Sequence, residues 1–289
     1  MKRTLILSLL LAAAACAESP AESLSKAKAQ LAKHDYAAAR VYLAAYLGAN
    51  PADRDARLLQ AKALLALGDG DGAEAELVRL RSSAALAGEL AELSAEAALL
   101  RSAPDVALQF LGTLKTPESF RLRAMAALQK QDIAAAQKQF EAAVSAGGNG
   151  RSFADYARFH LMTGAIAEAQ TMASRAAKVD PDGIDTVLVQ GQLAVRSGDL
   201  AVALKIYERT AQLYPSSLAA LTGQAAVLGD LGRLDEMDAV IGRAAVMAPS
   251  IPRWCTCGPK VRPRAGSGTR CAMLCNRSQT SLASLIRCA

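Results

Sequence analysis

The chain repeats itself, and that repetition limits its fold more than any other feature. A turn, an apolar residue, two further residues and a small one recur as HDYAAA ending at Ala39, GDGDGA at Ala73 and SAPDVA at Ala107. The phrase returns as QDIAAA at Ala136, GAIAEA at Ala169, GDLAVA at Ala203 and GRLDEM at Met237, so the intervals are 34, 34, 29, 33, 34 and 34. A period of this length marks a short unit that cannot bury its own apolar face and must stack on its neighbours. Other positions keep the same beat. An apolar or aromatic residue follows four later in most units (Leu43, Leu77, Leu111, Phe140, Tyr207, Ile241), and Pro181, Pro215 and Pro249 lie 34 apart, with Pro51 closing the first unit. Proline there stops a helix. Gly68, Gly164, Gly198 and Gly232 fall where a tight turn between two helices needs φ > 0, with His34 as the left-handed substitute in the first unit. With 52% hydrophobic but only 4% aromatic residues the units are Ala/Leu-rich helices, and a β-sandwich is excluded.

Period, turn glycine, small residue and terminal proline together resemble the tetratricopeptide (TPR) family over residues 22–249. The resemblance implies an all-α fold: a right-handed superhelical solenoid of about seven helix pairs, each with a helix A and a helix B, followed by an irregular non-repeat tail. The family's large helix A aromatic is mostly replaced, by Leu58, Val187 or Leu221, and the 29-residue interval puts the packing near Lys115–Ser119 in question. In this family the concave face, lined mainly by A helices, binds an extended segment or helix of a partner protein. The groove positions carried over are Lys62, Glu92, Glu96, Arg121, Met125, Arg158, Leu161, Gln192 and Arg196. They run from acidic in the third unit to basic in the fourth to sixth, either for an oriented partner of complementary charge or simply as solvated helix faces. The Lys/Asn clamp for a C-terminal carboxylate is not recognisable.

The two ends differ from the middle. Lys2 and Arg3 precede an apolar run from Leu5 to Ala15, the length of a signal-peptide core and too short to span a bilayer comfortably. Ala13-Ala14-Ala15-Cys16 resembles a bacterial lipobox, with Ala13 where a larger aliphatic residue is preferred. The resemblance implies cleavage of residues 1–15 and lipidation of Cys16, with residues 16–21 as a short linker and Glu18–Glu22 as a polar tether. Ordinary cleavage at an Ala-x-Ala site, leaving a soluble periplasmic protein, is the alternative. Acyl chains contribute about 0.8 kcal/mol per buried methylene and would hold the chain to a membrane. Ala17 after the cysteine, rather than Asp, favours the outer membrane. Lipobox and repeats together are similar to TPR lipoproteins of Gram-negative envelopes, including those of exopolysaccharide and exosortase-type systems.

Residues 250–289 carry seven basic residues, no acid and five of the six cysteines (Cys255, Cys257, Cys271, Cys275, Cys288). The formal +6 is therefore misleading, because residues 16–249 hold 24 basic and 27 acidic residues, a net of −3, which removes the case for nucleic acid. Three readings of the tail compete: a zinc module with non-standard C-x-C…C-x3-C spacing, a disulfide cluster with one cysteine left over, or translation out of frame. Read from one nucleotide earlier, the codons for Arg253–Lys260 permit a helix A sequence such as A-L-V-Y-L-R-A-K. The same frame permits glycine at 266, 34 after Gly232, and Leu, Met or Val at 275, 34 after Ile241. This favours a frameshift near Ser250–Ile251. It would also leave the apolar face of the seventh unit, including Leu221, Ala225 and Leu228, poorly covered.

Motifs for catalysis are missing: HExxH, a Walker loop and GxSxG do not occur. His160 sits at helical spacing and reads as packing, while Glu74/Glu76 and Asp235/Glu236/Asp238 read as solvated faces of B helices. The expectation is an envelope protein–protein interaction scaffold, not an enzyme, with no cofactor, metal or small-molecule substrate. The alternatives are an adaptor for peptidoglycan enzymes, or a metal or redox protein using the tail cysteines.

Overall fold

A computed structural model describes residues 18–81 and 87–247. Cys16, the signal segment and the whole of 250–289 lie outside these residues, and so do the lipidation, zinc, disulfide and frameshift readings placed on them.

Fourteen helices fill the described residues, and they pair off as seven A/B units. They are α1 Pro20–Ala32 and α2 Tyr36–Ala49, then α3 Arg54–Ala66 and α4 Gly70–Leu80, then α5 Ala87–Leu100 and α6 Pro104–Leu111. Next come α7 Pro117–Gln129 and α8 Ile133–Ser145, α9 Gly150–Thr163 and α10 Ile166–Val179, α11 Ile184–Arg196 and α12 Leu200–Leu213, and finally α13 Leu218–Asp230 and α14 Leu234–Met247. The expected all-α TPR-like solenoid is what the chain forms.

Every turn from helix A to helix B uses one device. A single residue takes positive φ: His34, Gly68, Ser102, Gln131, Gly164, Gly198 and Gly232. The next N–H then reaches back five residues to a helix A carbonyl, from Asp35 to Gln30 through Arg233 to Leu228, at 2.8–2.9 Å in all seven units. This is the Schellman closure, in which the left-handed residue lets the chain reverse while satisfying end carbonyls. Four turns follow it at once with aspartate, and Asp35, Asp69 and Asp132 accept from the N–H three residues on, capping helix B.

The small residue of the phrase marks the tightest packing. Ala39, Ala73, Ala107, Ala136, Ala169 and Ala203 are fully buried, as are Leu43, Leu77, Leu111 and Phe140 one turn later. In the sixth unit that later residue is Tyr207, whose ring lies between glycines of two successive A helices. A Cβ on Gly191 would sit 2.8 Å from the ring, and one on Gly223 would come closer still.

Three expectations need correction. Residues 18–22 are not a tether: Ser19 caps α1 in a reciprocal capping box with Glu22, and Pro20 occupies the first turn, where its missing N–H costs nothing. The 29-residue interval arises because α6 has only 8 residues, and the guanidinium of Arg123 closes the gap, donating to the carbonyls of Gly112 at 2.9 Å and Leu114 at 2.8 Å. Leu221, Ala225 and Leu228 are buried, within a cluster that includes Leu204, Tyr207 and Val240 from the flanking B helices.

The stack also meets itself. The first turn contacts the connector between α12 and α13: the His34 and Tyr214 rings lie 4.5 Å apart. Ser216 Oγ donates to Asp35 Oδ1 at 2.8 Å and accepts from the Ala37 N–H at 3.1 Å. Six to seven units thus complete one superhelical turn.

Three substitutions test this packing by urea unfolding. Gly223→Ala, which drives a methyl into the Tyr207 ring, is expected to destabilise by about 1–3 kcal/mol. Ser102→Gly and Gln131→Gly relieve left-handed strain of about 1 kcal/mol each, less the added unfolded-state entropy, so each is expected to stabilise slightly.

Candidate interaction groove

The A helices of units three to six bring seven charged side chains together on the concave face. At the centre Arg121 of α7 is almost wholly buried, pairing with Asp155 of α9 at 2.7 Å and Glu118 at 2.6 Å. Arg151, at the start of α9, reaches Glu96 of α5 at 2.5 Å, Asp185 of α11 at 3.2 Å and Glu118 at 3.5 Å. Arg158 pairs with Asp155 and with Asp185, the latter at 2.8 Å. Three arginines thus meet four carboxylates, and each arginine bridges at least two helices or two turns of one.

A buried arginine would be costly if unpaired. Burial opposes the charge of Arg121, but Glu118 and Asp155 outweigh it and hold its pKa well above the ordinary arginine value. Burial likewise pushes Asp185 up, yet Arg158 and Arg151 beside it hold it far below the usual carboxylate range. Glu118 is also lowered, against its burial, by Arg121 and then Arg151. The network of paired charges crosses three successive unit boundaries.

Other predicted groove residues lie around this network. Lys62 is exposed and paired with Glu89 at 2.6 Å. Glu92 accepts a hydrogen bond from Thr116, linking α5 to the cap of α7. Met125 and Leu161 are half-buried against the core. Gln192 is half-buried and Arg196 exposed, and neither forms a hydrogen bond or ion pair among the described residues. The predicted change from acidic to basic along the groove is corrected: Asp155 and Asp185 neutralise the arginines of units five and six. Sequence reading missed Glu118, Arg151, Asp155 and Asp185. The available signal was opposite charge at the repeat spacing, since Arg121–Asp155 and Arg151–Asp185 are each 34 residues apart.

The remaining candidates lie elsewhere. His160 packs on Tyr156, ring centroids 4.2 Å apart, at a shallow hollow of about 370 Å³ that also involves Glu168, Thr171 and Met172. Burial lowers its pKa. Glu76 is not a solvated group: it ties α4 to Arg57 of α3 and to Arg79, while Glu74 pairs with Arg81 at 2.7 Å. Glu236 pairs with Arg233 at 2.7 Å. Among the described residues no three His, Cys, Asp or Glu side chains are grouped to hold a metal, and no helix is long and apolar enough to cross a membrane.

Comparison with known proteins agrees with the architecture. A tetratricopeptide-repeat family model matches residues 24–85 and 188–236, the first two units and most of the last two. No curated protein matches the chain. Similar solved structures include the Cut9–Hcn1 hetero-tetramer of the APC/C, with TM-score 0.57 and 11% identity over 78% of this chain; the match spans only 46% of that protein. A thermophilic TPR protein of Thermus thermophilus superposes with TM-score 0.51 at 17% identity, over 61% of this chain and 98% of its own. A TPR protein of Parabacteroides merdae gives 0.50 at 15% identity, over 80% and 94%. At these identities the likeness concerns the fold, a TPR solenoid.

The network makes two predictions. Arg121→Met leaves Asp155 with Arg158 alone and Glu118 with Arg151 alone, and is expected to cost up to about 3 kcal/mol in urea unfolding, part of which returns when Asp155→Leu is added. Carboxylates held low in the folded state contribute stability above the unfolded pKa of about 4 and lose it as pH falls through the folded values. Stability is therefore expected to be level near neutrality and to fall below about pH 4, less steeply in Asp185→Asn.

Proposed function

We propose that this protein is a lipid-anchored scaffold of the cell envelope that holds a segment of a partner protein in its concave groove. One observation carries the groove reading: the inner face of units three to six is held by a fixed set of paired charges spanning four A helices. Such a surface meets a partner without reorganising, which reduces the cost of binding. Arg121, Asp155 and Arg158 then hold the groove's shape, while Lys62, Glu92, Gln192 and Arg196 are its contact groups. Anchorage through Cys16, facing the periplasm and on the outer membrane in preference to the inner, rests on the signal-like segment and lipobox-like residues before it. A role in export or assembly of envelope components follows from the same pairing of anchor and repeats.

The test is photo-crosslinking from Gln192 and Arg196 in whole cells, with Val41 on the back of α2 as control. Crosslinks to one protein from the groove sites alone are expected; equal yield from the control site contradicts the groove. Export components among the captured proteins support the envelope reading, whereas peptidoglycan hydrolases would point to the adaptor role. For the anchor, Cys16→Ser is expected to lose incorporation of labelled palmitate and to leave the membrane fraction. Unchanged membrane retention would contradict lipidation.

A further inference from the structure

The contact of the solenoid with itself defines an interface between superhelical turns. One side of it is the A-to-B turn edge, contributed by His34, Asp35 and Ala37 of the first unit; the other is the B-to-A connector edge, contributed by Tyr214 and Ser216. All seven A-to-B turns share one backbone closure, and in a regular solenoid such equivalent turns line one edge. In the first unit that edge is covered. In units three to seven it lies beyond the end of the described turn.

Among the described residues nothing covers this edge, and it is apolar. Leu100 and Val106 flank the turn at Ser102, Ile133 the turn at Gln131, Met162 that at Gly164, Val202 that at Gly198 and Leu231 that at Gly232. Each is within four residues of its turn and counts among the chain's exposed large hydrophobics, Val202 being 52% exposed. The turns at His34 and Gly68 have no such residue near them. A row of this kind over five consecutive units differs from singly scattered surface residues and marks an interaction face.

We infer that this edge docks a second copy of the chain, which continues the superhelix by laying its connector edge over the turns of units three to seven. The occupant follows from continuity with the internal interface: the surface known to cover an A-to-B edge here is a B-to-A edge of this same sequence. The contact joins two different surfaces, so it is heterologous and propagates head to tail rather than closing as a two-fold dimer. This inference stands independently of what the groove binds.

Sedimentation velocity of the purified full chain over a wide concentration range tests it. A ladder of species growing with concentration is expected, and Ile133→Glu with Val202→Glu is expected to weaken association by at least about tenfold. Val41→Glu, at a residue 60% exposed in the middle of α2 and away from either edge, is expected to leave it unchanged. Circular dichroism melts of both variants verify that they fold. A monomer at every concentration, a dimer that grows no further, or equal loss in both variants would each overturn the inference.

Discussion

Everything in this structure depends on the inability of one helix pair to bury its own apolar face. Six of the seven units bring one fully buried alanine, and five of these bury a large residue one turn later, so that little space is left between helices. The next unit must supply the rest of the core, and because the contact is the same each time the step between units is nearly constant. A constant step makes a superhelix. Here it is tight enough that the first turn touches the connector between the last two units.

The charged network depends on that step as well. Arg121 meets Asp155, and Arg151 meets Asp185, because residues one period apart lie side by side on neighbouring A helices. A change in rotation per unit would separate the pairs and strand charged groups in a poorly solvated face, at several kcal/mol for each buried charge. The pairs therefore fix the geometry that created them. In return they give the concave face a charge pattern close to neutral, with Lys62, Gln192 and Arg196 at its margins.

The repeat was legible because its parts have single-residue signatures. Turn glycines, the small residue and the following large one placed all seven turns, and His34 was recognised as left-handed from its register alone. Ser102 and Gln131, also left-handed, carry no such signature and were found only in the structure. The start of α1 was misread because Ser19-Pro20 resembles a linker until Glu22 is seen closing a capping box. Three of the seven network charges are legible: Arg121, Arg158 and Glu96 follow from helix A register, but whether a charge is spent on a neighbour or left for a partner depends on side chains in the next unit. The contact between the ends depends on a rotation accumulated over the whole stack, which no local pattern encodes.

The seven units close on themselves through the contact of the first turn with the α12–α13 connector, and the docking edge follows from that closure. Pulsed electron spin resonance between labels at Lys33 and Gln212, with the native cysteines changed to serine, measures it directly. Closure predicts one short, narrow distance distribution, lengthened by Ser216→Arg. A broad, long distribution in the unsubstituted background would show an open arc and contradict it.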